Sequence, residues 1–153
     1  MQTQDPDFRA KTLAALTDQP FADLLGMEAL DAGPGWITVG LDITPRHTQH
    51  DGIVHGGVAA TLADTGAALA ALTLVRPGER VVTVEFKINF LRPARAGRLV
   101  CRGQVLRPGR SVTVSESDVT EIQGDTQTLI AKAMATIAIL PAASDKETGR
   151  ATA

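Results

Sequence analysis

From Gly56 to Val75 the chain is written mostly in Ala, Gly, Thr and Leu, and one ionisable residue, Asp64, interrupts it. The larger side chains Val58, Leu62, Leu69 and Leu72 recur at spacings of four, seven and three, which lays them along one helical stripe. Pro77-Gly78 stops the helix. A helix with small residues on every side lets other backbone approach closely, so a sheet wrapped around it is the expected surrounding. Asp64 and the scattered threonines and glycines make the stretch a buried helix and not a membrane span.

The flanking segments supply that sheet. Residues 8–25 carry Leu13, Leu16, Phe21, Leu24 and Leu25 at helical spacing, interrupted near Pro20. Gly33-Pro34-Gly35 marks a turn, and Trp36–Ile43 alternates as a half-buried strand. Pro45–Val54 is a polar loop, and it and the residue after it hold all three histidines, His47, His50 and His55. After the helix only strand signals remain: Val81–Leu91, Leu99–Leu106, Ser111–Ile122 and Thr128–Leu140. Short connections such as Arg107-Pro108-Gly109 and Gly124-Asp125 separate them. One central helix with several tightly connected strands predicts an α+β fold with an antiparallel sheet. Residues 1–140 are expected to form a single domain, with 1–7 flexible and 141–153 a disordered tail lacking large apolar residues.

Composition narrows the function. The 153 residues carry a formal charge of −2, so no global basic field attracts nucleic acid. Four Phe, one Trp and no Tyr leave little for stacking bases. The single cysteine, Cys101, has no internal disulfide partner, and the polar, acidic start Met1–Asp7 lacks the pattern of a signal peptide. The expectation is a cytoplasmic protein without nucleic-acid or membrane partners.

Asp64 has Ala60, Thr61, Ala67 and Ala68 as its helix neighbours, so no base on the helix is placed to pair with it. An acid in such surroundings is expensive unless used, although a lone acid elsewhere is more often simply exposed. Gly56 and Gly57 open the helix, either because the turn needs unusual backbone angles or close packing, or because a bare N–H is aimed at a carbonyl oxygen. Both readings want a residue without a side chain. His55 could contact substrate, fix the loop by a hydrogen bond or serve as a base, and the second role is favoured. Together these residues read as an active site for acyl transfer to water. Gly56 and Asp64 are eight residues apart, a rise of about 12 Å on one helix. A carbonyl's donor and its base should each lie within roughly 3–3.5 Å of the reacting atoms. Two antiparallel copies could bring the glycine of one to the acid of the other, which predicts a homodimer with two shared sites.

The stretch Gln49–Gly57 with Ala63-Asp64, followed by Val82–Phe86, Phe90-Leu91-Arg92-Pro93-Ala94 and Gly109-Arg110-Ser111, resembles the hotdog-fold acyl-CoA thioesterases, and among them the phenylacetic-acid-degradation branch. The resemblance spans roughly residues 20–140. It implies the hotdog fold, dimers that often pair into tetramers, and cofactor-independent hydrolysis of an acyl-CoA thioester to a carboxylate and CoA. By the motif, Asp64 matches the catalytic acid, acting as general base or nucleophile, and Gly56 matches the residue whose N–H polarises the carbonyl. Thr83 matches a hydroxyl that orients the attacking water, and His55 and Gly57 line the site. Many relatives carry Asn where this chain has Gln49, which keeps the amide and adds a methylene. Arg107, Arg110 and Ser111 fall where the resemblance places contacts to the nucleotide end of CoA, and a solvated turn is an equal reading of that hairpin.

Other chemistries find less support. His47, His50, Asp51 and His55 have metal-ligand types without a standard ligand spacing, so no metal is expected. Cys101 reads as a core residue, and no serine sits in a Gly-x-Ser-x-Gly elbow. The rival functions are a non-catalytic acyl-CoA-binding or sensing module and a hotdog enoyl-CoA hydratase or dehydratase.

Overall fold

The computed structural model describes residues 1–17 and 19–142. Two short helices, α1 (Phe8–Ala14) and α2 (Pro20–Leu25), precede strands β1 (Glu28–Gly33) and β2 (Trp36–Asp42). A 3₁₀ turn (Pro45–His47) leads to the long helix α3 (Gly56–Leu72), and β3 (Arg80–Phe90), β4 (Arg98–Arg107), β5 (Val112–Gln123) and β6 (Thr126–Leu140) follow. The strands form one antiparallel six-stranded sheet in the order β1-β2-β4-β5-β6-β3. This is the expected α+β hotdog architecture, with α3 packed against the sheet. No helix among the described residues is long and apolar enough to cross a membrane.

Alternation decides which strand face meets α3. In β4, Leu99, Cys101, Gly103 and Val105 are buried while Arg102 and Gln104 face outward. The same period in β5 and β6 buries Val119, Ala131, Ala133, Ala135 and Ile137. The helix contributes Val58, Leu62, Ala63, Ala67 and Ala70 to that core. A methyl on Gly66 would stand 2.6 Å from Cys101 Sγ, and one on Gly103 would overlap the Gly66 carbonyl. These two glycines let helix and sheet backbones touch, which is the close approach expected from the small residues of α3.

Three features differ from the expected elements. First, β1 had no strand signal, because its burial does not alternate and Leu30 remains exposed. Second, α3 ends at Leu72 and not at Val75. The buried Thr73 hydroxyl donates to Ala70 O (2.6 Å) and accepts from Gly35 N–H (2.7 Å), tying the helix end to the β1–β2 turn. Third, β3 carries a bulge between Thr83 and Glu85. Residues Val81 and Thr83 before the bulge, and Phe86, Ile88 and Phe90 after it, all pair with residues on the helix-facing side of β6. One extra residue, Val84, therefore keeps odd and even positions on the same face. The tail expected to be disordered lies, from residue 143 onward, outside the described residues.

Replacing Gly103 with alanine forces the helix off the sheet. The expected loss is roughly 1–3 kcal/mol, in the range of overpacked cores, read as a lower urea midpoint at unchanged slope. An exposed control, Gly124→Ala, strains a left-handed turn (φ 58°) without touching the core and is expected to cost less.

Candidate active site

Asp64 sits on the middle of α3 and is half-buried. Its partner comes from another element: Thr83 Oγ1 on β3 donates to Asp64 Oδ1 at 2.7 Å. The pairing a helix neighbour could not supply is thus supplied by the sheet. The hydroxyl occupies one carboxylate oxygen, and among the described residues no donor reaches Oδ2. The turn of helix bearing Asp64 is itself anchored, because the buried Ser117 Oγ on β5 donates to Ala63 O at 2.8 Å. Sequence reading missed Ser117. A serine on the buried face of a strand was the one available signal.

The start of α3 is built by the His55-Gly56-Gly57 run. His55 is the N-cap, and its Nδ1 accepts the Gly57 N–H at 2.9 Å while its carbonyl accepts the Val58 N–H at 2.9 Å. The expected loop-fixing hydrogen bond of His55 is therefore present. Neither Gly56 nor Gly57 has a positive φ, so unusual backbone angles are not the reason for the pair. Space is the reason at Gly57, while at Gly56 a methyl would only reach ordinary contact with a phenyl ring. A Cβ on Gly57 would meet the His55 ring at 2.9 Å, and one on Gly56 would lie 3.4 Å from the Phe90 ring. Among the described residues no acceptor is recorded for the Gly56 N–H, which leaves it as the free donor of the helix start.

Gly56 and Asp64 open into different cavities. Gly56 lines a cavity of about 330 Å³ together with Gln49, Phe90 and Leu91. Asp64 lines another, of about 410 Å³, with Ala68, Leu72 and Val81 from α3 and β3 and with Ala15 and Gln19 from the link between α1 and α2. The two share no lining residue. Gln49 is thus brought beside Gly56, and Thr83 beside Asp64, but a single chain does not unite the two pairs.

Arg107, Arg110 and Ser111 are exposed at the β4–β5 hairpin. Arg110 lines a third cleft, about 290 Å³, with Arg76 and Glu79, away from the Gly56 cavity. Arg107 and Ser111 line none of these three cavities. Cys101 is fully buried, and desolvation pushes its thiol up to about 12. It is a core residue. Among the described residues no cluster of three or more His, Cys, Asp or Glu could hold a metal ion.

Residues 51–127 match the thioesterase superfamily. Human acyl-coenzyme A thioesterase 13 is 32% identical over 102 residues, which cover 65% of this chain and 72% of the human protein. A thioesterase family protein from Silicibacter pomeroyi superposes with a TM-score of 0.83 at 31% identity, covering 86% of this chain and 98% of that one. The Escherichia coli PaaI protein of the phenylacetic acid degradation operon gives a TM-score of 0.76 at 25% identity, covering 84% and 90%.

The burial of Cys101 has a pH signature. The folded chain holds the thiol proton more tightly than the unfolded chain, so unfolding is favoured by ionisation as pH rises from 9.0 towards about 12. Stability is expected to fall across that window, and Cys101→Ala should flatten the fall in a urea titration at stepped pH. At pH 8 an aromatic disulfide reagent is expected to label Cys101 only after unfolding.

Proposed function

This chain belongs to the thioesterase superfamily and is a thioester hydrolase, and we propose that it cleaves acyl-CoA with Asp64 as general base and the Gly56 N–H as oxyanion donor. The observation that carries the reading is the Thr83–Asp64 hydrogen bond at 2.7 Å. It orients one carboxylate oxygen and leaves the other to take a proton from water. Water attacks the thioester carbon, the C–S bond breaks, and the CoA thiolate leaves and takes up a proton. A positioned base is worth about 10²–10⁴, and an oxyanion donor about 10²–10³. Their product, roughly 10⁴–10⁷, needs no metal or cofactor to reach the lower range of enzymatic accelerations.

The separate cavities of Gly56 and Asp64 support a homodimer in which each active site takes Asp64 from one chain and Gly56 from the other. The edge strand β3 supports the same assembly. Its outer side has no strand partner among the described residues, and Val82, Val84 and Phe86 are exposed along it. Such an edge invites a second copy. Pairing of two such dimers into a tetramer is compatible with this arrangement. Gln49 would then hold the thioester or its water from the Gly56 side. Arg110 and Arg76, with Arg107 and Ser111 nearby on the hairpin, offer guanidinium groups suited to the phosphates of CoA. The hydratase alternative finds less support, because the His55 Nδ1 lone pair is spent on the Gly57 N–H.

Steady-state thiol release from a panel of acyl-CoAs tests the reaction. Asp64→Ala is expected to lower kcat by about 10²–10⁴, and Thr83→Val by a smaller factor with KM little changed. Full activity in Asp64→Ala would remove Asp64 from the mechanism, and tight binding without turnover in the wild type would favour a sensing module. Placing a charge on the β3 edge, Val84→Lys, should yield monomers in sedimentation and abolish turnover together. Mixing inactive Asp64→Ala chains with inactive variants blocked at Gly56 should restore activity in the heterodimer alone.

A further inference from the structure

Strand positions that face a core are ordinarily filled by β-branched or aromatic side chains. The side of β5 that faces α3 instead carries three hydroxyls in a row, Thr113, Ser115 and Ser117, all buried. Thr113 Oγ1 accepts the Gly109 N–H at 3.4 Å, within its own hairpin. Ser115 Oγ has no hydrogen-bond partner among the described residues. Ser117 alone of the three reaches the helix, where it donates to Ala63 O at 2.8 Å. A serine hydroxyl is two bonds from its backbone, so it meets a helix carbonyl only where helix and sheet nearly touch. Such a place exists because Gly103, the register partner of Ser117 on β4, lies against Gly66. Ala63 is inside α3, where the helix ladder already supplies its carbonyl with a donor. The serine therefore rescues no orphaned acceptor. What it holds is the peptide plane shared by Ala63 O and the Asp64 nitrogen, a rigid unit that ends at the Asp64 Cα.

We propose that Ser117 is a positioning residue for Asp64: it fixes the peptide plane that carries the acid, while Thr83 fixes the carboxylate. This rests on Asp64 as the general base, as proposed above. The two tethers come from strands β5 and β3, with β6 between them, so they leave the sheet about 10 Å apart. Thr83 by itself would hold one oxygen and let the helix turn behind it tilt. With Ser117 the acid is held at its root and at its tip. A reacting group has to stay within roughly 0.5 Å of its productive position, and a displacement of about 1 Å costs on the order of 10² in rate.

The test measures thiol release from acetyl-, hexanoyl- and benzoyl-CoA in Ser117→Ala. Ser115→Ala is the matched control, on the same face of the same strand. Thermal melts check folding, and Ser117→Cys, which keeps a weak donor, serves in its place where the alanine variant does not fold. Ser117→Ala is expected to lower kcat about tenfold. KM and the affinity for the thioether S-hexyl-CoA should stay within about twofold, and Ser117→Cys should fall between. Ser115→Ala should leave kcat unchanged, and its urea midpoint should not fall, because it removes an unpartnered buried hydroxyl. Since the serine acts through the acid, adding Ser117→Ala to Asp64→Ala should remove no further activity in single turnovers at high enzyme concentration. A kcat within about twofold of wild type in Ser117→Ala, an equal loss in Ser115→Ala, or an equal further loss without Asp64 overturns the inference. With Asp64→Ala inactive, those results leave the base in place and remove only Ser117. Full activity in Asp64→Ala defeats the base itself, and absence of thiol release from every acyl-CoA overturns both.

Discussion

Helix α3 meets β4 backbone to backbone at Gly66 and Gly103, and the rest of the molecule is arranged around that contact. Gly66 and Gly103 face each other with no room for a methyl on either. Interiors packed at crystal-like density transmit such constraints, because a shift of one element displaces its neighbours. The helix is therefore held at one depth and one axial position against the sheet. Thr73 locks its end to Gly35, and Ser117 grips the carbonyl of Ala63. Asp64 follows Ala63 directly, so the position of the acid is set by strands on either side of it.

That rigidity makes an acid tolerable on an otherwise apolar helix. A carboxylate removed from water without a partner would lose far more than one hydrogen bond returns. Asp64 avoids this by remaining half-buried and by accepting from Thr83. The Thr83 hydroxyl fixes the direction in which the carboxylate points. At the other end of the first two turns, His55 removes one N–H from competition and leaves its neighbour free.

Much of this was legible from residue order. The strands from β2 onward declared themselves by alternation, and α3 by its small-residue stripe. The separation of Gly56 from Asp64 already argued that one chain could not unite them, and their two unconnected cavities agree. The failures share a cause, which is that they depend on tertiary neighbours. β1 is a strand because β2 pairs with it, since its own residues do not alternate. The helix stops at Leu72 because a distant glycine amide captures Thr73. The Gly56-Gly57 pair suggested either special backbone angles or close packing, and the packing is found at Gly57, where the His55 imidazole occupies the space a side chain would need. Thr83 entered through family resemblance alone. For Ser117 the one sign was a serine on the buried face of a strand, which does not tell which carbonyl it bonds.

The bulge at Val84 has a consequence for how β3 can be altered. Thr83 has an odd number and Phe90 an even one, yet both face α3, because the strand changes phase between them. The hydroxyl touching Asp64 and the ring lying on Gly56 belong to two half-strands spliced out of step. Deleting one residue there would restore a regular ladder and leave every individual side chain intact. It would also turn one of the two contacts to the outside of the sheet. The irregular residue is the joint that lets a single strand reach both Asp64 and Gly56 of its own helix.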